Sequence, residues 1–294
     1  MSDKKRNMSF SERMGIIEPK TVIQLECMNS ELQTAIYNFF YSLLDSYWNT
    51  DLQPNLCNAS PMGIGIELAT EIWTDYFHEP VDEMSSIPHW FLGDFKKHFF
   101  NLQWYEVYDI AEFFVQKLRS LVDESFAKEV ERELNEIFSN ELSGYRFVNG
   151  FIVPVSASCE IESLECTLAL EDRFSGAREH ISAGLKLLSS RGKNGYRNVV
   201  KEAISGVESA ARVICGKESA TLGDALKLVE KQHQFHPALK DAWLKLYGYT
   251  NDADGIRHAL SSDDEAVSLS FAQYVLISCS AFINYLAALE SEGK

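Results

Sequence analysis

The strongest pattern in the chain is helical. From Glu31 to Trp48 the apolar residues Leu32, Ile36, Phe39, Phe40 and Leu43 fall at three- and four-residue steps, behind the cap candidates Asn29 and Ser30. Residues 71–115 are crowded with aromatics. Phe91, Phe95 and Phe99 step by four, as do Trp104 and Tyr108. Such stripes predict core, with a partner-binding face as the alternative. A charged amphipathic helix follows over 123–141, carrying Phe126, Val130, Leu134, Ile137 and Phe138.

The period then changes. Arg146-Phe147-Val148, the pair Asn149-Gly150 and Phe151-Ile152-Val153 form two apolar runs around a two-residue turn. This predicts one small β-hairpin near 145–155, its second strand limited by Pro154. Beyond it the pattern is helical again, with a connecting helix from about Ser158 to Glu171. Segments at 173–190, 195–215, 221–232, 236–248 and 264–289 follow. Thr221 and Asp224 have the spacing of a capping box, and Pro237 stands where a first helical turn tolerates it. The expected fold is mainly α, with two helical domains at 1–155 and 156–294. Short connections make the second an antiparallel bundle.

Composition narrows the class. With 46% hydrophobic and 24% charged residues the chain is well cored rather than disordered. Cys27, Cys57, Cys159, Cys166, Cys215 and Cys279 form no C-x-x-C pair and have no histidine at finger-like spacing. They read as thiols in a reducing compartment, and neither a metal nor a cofactor is expected. Gly63-Ile64-Gly65 lacks a third glycine and a preceding strand, which argues against a nucleotide loop. Ala266 to Leu289 carries no formal charge, but it contains Gln273, Asn284 and four serines between acidic flanks. It predicts a buried bundle helix rather than a membrane span. No signal peptide is read at the amino terminus, so the expected location is cytoplasmic.

Charge is unevenly placed. The chain carries −16 overall, yet residues 173–217 hold nine basic residues against Glu179, Glu202 and Glu208. That stretch is either a phosphate-facing surface or a pair of solvated helix faces. The densest chemistry lies at Leu246–Leu260, where Asp252, Asp254, Arg257 and His258 gather around Gly255. Arginine offers a planar fork to phosphate oxygens, and histidine exchanges a proton near neutrality. Together they suit phosphoryl chemistry, although ion pairs with Asp252 or Asp254 would leave the same trace.

Several blocks resemble a known family. Ala177-Arg178-Glu179-His180, the run Tyr196 to Glu208, Lys245 to Tyr249 and Gly255-Ile256-Arg257-His258-Ala259 are similar to the HEPN domains of AbiJ-type abortive-infection proteins. Ser9 to Arg13, Tyr105-Glu106-Val107-Tyr108-Asp109 and Gly144 to Gly150 resemble one class of AbiJ amino-terminal domain. The resemblance implies an anti-phage effector with a HEPN-like bundle, a homodimer, and a metal-independent endoribonuclease acting on RNA. It implies Arg257 and His258 as catalytic residues, with Glu202 and Asp252 orienting the imidazole or pairing with Arg257. Arg178, Arg197, Asn198 and Lys201 would hold RNA phosphates. Residues 1–155 would sense the infection through a phage-derived protein. The family's usual motif separates arginine from histidine by four to six residues, whereas Arg257 and His258 are adjacent. Arg173 and His180 do have that spacing, but at the start of the bundle, where it reads as coincidence. The alternative is a non-catalytic HEPN module that binds RNA or a protein and regulates a defence system.

Overall fold

Polar side chains set several helix starts. In the computed structural model, which describes residues 10–16, 22–48, 63–155, 157–189, 195–232, 236–251 and 267–292, a short α1 (Phe10–Arg13) precedes α2 (Ser30–Tyr47). Asn29 caps α2 by accepting from Leu32 N at 2.9 Å, one of the amides the helix itself leaves unpaired. Helix α3 (Ile64–Glu71) runs into a π-helical turn at Ile72–Tyr76. A 3₁₀ turn at Val81–Glu83 precedes α4 (Pro88–Asn101). Helix α5 (Trp104–Leu121) opens on a Gln103–Glu106 capping box, and α6 (Glu124–Asn140) on Asp123, which accepts from Phe126 N at 2.8 Å. The fold is mainly α, with one small antiparallel hairpin.

That hairpin pairs β1 (Arg146–Val148) with β2 (Phe151–Val153). Asn149 and Gly150 both take positive φ, 53° and 84°, as a type I′ turn requires. The Asn135 side chain bonds β1 in both directions, accepting from Phe147 N at 2.8 Å and donating to its carbonyl at 2.9 Å.

The chain divides into two compact units, Met1–Ile152 and Val153–Lys294. The core of the first is aromatic. Phe91, Phe95 and Phe99 are all buried, as their spacing predicts, and Phe40 stacks on Phe114 at 4.4 Å. The Gly63-Ile64-Gly65 run has a packing role. A Cβ at Gly65 would lie 2.6 Å from the Trp48 backbone, so its glycine lets α3 approach the end of α2.

The second unit contains α7 (Ser158–Leu168), a 3₁₀ turn at Asp172–Phe174, α8 (Ser175–Ser189), α9 (Gly195–Cys215), α10 (Leu222–Gln232), α11 (Pro237–Asn251) and α12 (Leu269–Glu292). Helices α8 and α9 are antiparallel, since Gly176 lies against Ser209 and Gly184 against Val199 and Glu202. Small residues bring them close. A Cβ at Gly184 would sit 2.9 Å from Leu276 Cδ1, so α12 packs into the same seam. Thr221 and Asp224 make the expected capping box, and Pro237 begins α11. Trp243 of α11 stacks on Phe282 of α12 at 3.7 Å. Helix α12 is long and apolar enough to cross a bilayer, but half of it is buried in this unit, including Leu276, Cys279 and Ile283.

Candidate functional site

The antiparallel register of α8 and α9 brings together two residues that lie 22 apart in the chain. His180 Nδ1 is 2.7 Å from Glu202 Oε2, and the two side chains are 38% and 23% exposed. With the Nδ1 proton directed to the carboxylate, Nε2 keeps its lone pair and can take a proton from a bound hydroxyl. A carboxylate fixing one edge of an imidazole while the other stays accessible is a common arrangement for a general base.

The neighbouring residues of α9 follow helical geometry. Asn198 precedes Glu202 by four residues and shares its face, while Arg197 and Lys201 share the next. Asn198 and Lys201 are exposed and Arg197 is half-buried. The expected RNA-contacting residues of α9 therefore lie beside the His180–Glu202 pair. Arg178 does not. Two residues from His180 on α8, it turns away and donates to Leu170 O and Asp172 Oδ1, both at 3.0 Å.

Arg173 is likewise engaged elsewhere. Its Nη1 donates to Glu290 Oε1 at 2.6 Å and its Nε lies 2.9 Å from Glu171. It lines a groove with Leu170, Phe174, Asn284, Ala287 and Ala288. Arg173 stands in the 3₁₀ turn ahead of α8, and the partners of its guanidinium are acids rather than His180. The six-residue spacing in the sequence is thus not an assembled Arg–His pair.

Glu202 was expected to orient His258 or to pair with Arg257; among the described residues its carboxylate holds His180. Arg257, His258 and Asp252 lie outside the described residues, between the end of α11 at Asn251 and the start of α12 at Leu269. Sequence reasoning set His180 aside, since its spacing from Arg173 reads as coincidence. The signal that finds it is the α8–α9 register, which spacing along one helix does not carry. Glu208, the other acid of α9, accepts from Tyr247 Oη at 2.7 Å and lies 4.0 Å from Arg212, so it ties α11 to α9. Among the described residues no group of three or more His, Cys, Asp or Glu is placed to hold a metal ion.

Comparison with known families matches residues 8–170 to the family described as AbiJ N-terminal domain 4. The matched span includes the aromatic core, the hairpin and α7. Among curated proteins and among solved structures, no match is found.

Proposed function

From the premise that this chain belongs to the AbiJ N-terminal domain 4 family, which fits an abortive-infection defence protein, we propose that its second unit is a HEPN-like effector that cleaves RNA without a metal. The observation that carries this reading is the half-exposed His180 held by Glu202 at 2.7 Å beside Asn198 and Lys201.

In this mechanism His180 Nε2 takes the proton of a ribose 2′-hydroxyl. The 2′-oxygen attacks the adjacent phosphorus, and the bond to the 5′-oxygen breaks. Protonated His258 gives its proton to that oxygen, and Arg257 stabilises charge on the non-bridging oxygens. The products are a 2′,3′-cyclic phosphate and a 5′-hydroxyl. Arg197, Asn198 and Lys201 hold flanking phosphates. Asp252, near Arg257 in sequence, is the acid proposed to pair with it. Arg178, turned toward Asp172, is the weakest of the expected RNA contacts.

The first unit is proposed to sense infection through a phage-derived protein, in the cytoplasm. A homodimer is the proposed assembly, with a second copy covering the uncharged face of α12 where Tyr274, Ala281 and Tyr285 are exposed.

A second reading is favoured by a specific observation. Two arginines of the basic stretch, Arg173 and Arg178, are occupied by Glu290 and Asp172, which reduces the surface available to a polyanion. That is the expectation for a non-catalytic regulator. Growth arrest in phage-infected cells separates the two. The nuclease reading predicts that His180→Ala and His258→Ala each abolish arrest with the fold retained. Arrest unchanged in both variants supports the regulator.

A further inference from the structure

The turn before the hairpin buries a cation that, among the described residues, no carboxylate pairs with. Arg146, the first residue of β1, is only 7% exposed. Its Nη1 donates to the carbonyls of Ser143 at 2.8 Å and Tyr145 at 2.7 Å. Among the described residues nothing accepts from Nε or Nη2, yet neither nitrogen is cut off from solvent. Other arginines of this chain are paired with acids: Arg119 with Glu131, Arg173 with Glu290 and Arg178 with Asp172.

The phenol that acts on Arg146 does not compensate. Tyr108 Oη lies 2.7 Å from Ser143 Oγ, and burial pushes its phenol far up, so it stays neutral at physiological pH. Burial also pulls Arg146 down to about 10, which still leaves it charged there. Taking a guanidinium out of water without an anion is costly, and an arriving oxyanion recovers that cost.

Aromatic rings lead outward from the same place. The Tyr145 ring is 4.9 Å from Tyr108 and 6.1 Å from Trp104, and Trp104 is 5.7 Å from Tyr105, which is half exposed. Two sequence blocks far apart in the chain, around Tyr105–Asp109 and Gly144–Gly150, thus meet at one guanidinium.

We propose that Arg146, with the Tyr145–Trp104–Tyr105 ring series that runs outward from the same turn, binds the oxyanion of a small ligand, a phosphate or carboxylate group carried on a planar apolar body. The free edge of the guanidinium takes two oxygens side by side, and the rings take the flat part. A small ligand fits better than a polyanion. Residues 1–150 hold 24 acidic against 12 basic residues, which repels RNA at every point except contact. This site does not depend on the nuclease reading of the second unit.

The test is a titration of the full chain with adenosine 5′-monophosphate and with benzoate, followed by calorimetry, with inorganic phosphate as competitor. The expected result is saturable binding of at least one probe at one site per chain, displaced by phosphate when the nucleotide binds. Arg146→Gln should weaken it at least tenfold, and Tyr105→Ala severalfold. Arg146→Lys, which keeps the charge but loses the fork, stands in if Arg146→Gln does not fold, and it should also weaken binding. The nucleotide binding alone identifies a phosphate ligand, and benzoate alone a carboxylate one. Binding of neither probe overturns the proposal, as does equal binding by folded Arg146 variants.

Discussion

The two units are packed by opposite means. In the first, large rings fill the space between helices: Phe40 and Phe114 stack at 4.4 Å, and Phe91, Phe95 and Phe99 form a continuous buried file. In the second, helices close on one another through Gly176, Gly184 and Gly206, and buried rings such as Phe174 and Phe282 are few beside the aliphatic side chains. An aromatic core holds its helices apart, and its polar atoms are satisfied one by one, as Asn135 does for β1. A glycine seam brings backbones close, so side chains flanking the seam are pressed into register. His180 and Glu202 meet for that reason. The difference teaches where each unit can keep chemistry: at a hairpin turn in the first, and along a helix–helix seam in the second.

The largest test of this contrast is Phe114→Ala. Removing a stacked, fully buried ring should cost about 3–5 kcal/mol in urea denaturation. Protection from hydrogen exchange should fall in α2, α4 and α5. A loss below about 1 kcal/mol would mean that the ring file is not the core's main support. Gly184→Val probes the other unit. The added methyls must displace Leu276, at an expected cost of about 1–3 kcal/mol. It should also part His180 from Glu202, visible as a change in the His180 imidazole resonances by NMR. A neutral substitution would contradict the close seam.

Asn135→Ala strips both polar partners from Phe147 and should cost about 1–3 kcal/mol. Amide exchange in β1 should accelerate most. The smallest effect is a pH slope. Burial raises the carboxyl groups of Glu112, Asp109 and Glu131 above their ordinary values. Their protonated forms therefore favour the folded state. This stabilisation is complete below the unfolded values, about 4.3 for glutamate and about 3.9 for aspartate, and is lost as pH rises through the folded value. The melting contribution of the first unit should rise as pH falls from 7 toward about 5. Glu112→Gln should flatten that slope while its amide oxygen still accepts from Ile152 N.

Most of the fold was legible because periodicity reports burial directly. The Phe91–Phe95–Phe99 stripe, the Asn149-Gly150 turn and the Thr221–Asp224 box each follow from local physics, and each is found in the structure. The candidate site was less legible. Glu202 was identified as an orienting acid, but its partner was expected at His258, because the distance between His180 and Glu202 depends on how two helices register. Arg173 shows the converse. Its spacing to His180 matches the family's motif but reads as coincidence, and Glu290, 117 residues away, determines where its guanidinium lies. Arg146 was legible only as part of a sequence block, since no local pattern reveals a missing counter-ion.

The central claim is that the second unit cuts RNA through an imidazole held by Glu202. The most direct measurement incubates RNA in EDTA with protein purified from phage-infected cells, wild type beside His180→Ala, and maps the ends of the products. The account predicts 2′,3′-cyclic phosphate ends with wild type and their loss in the variant. Wild-type protein that arrests infected cells yet leaves RNA intact would contradict it, as would the same ends made equally well by His180→Ala.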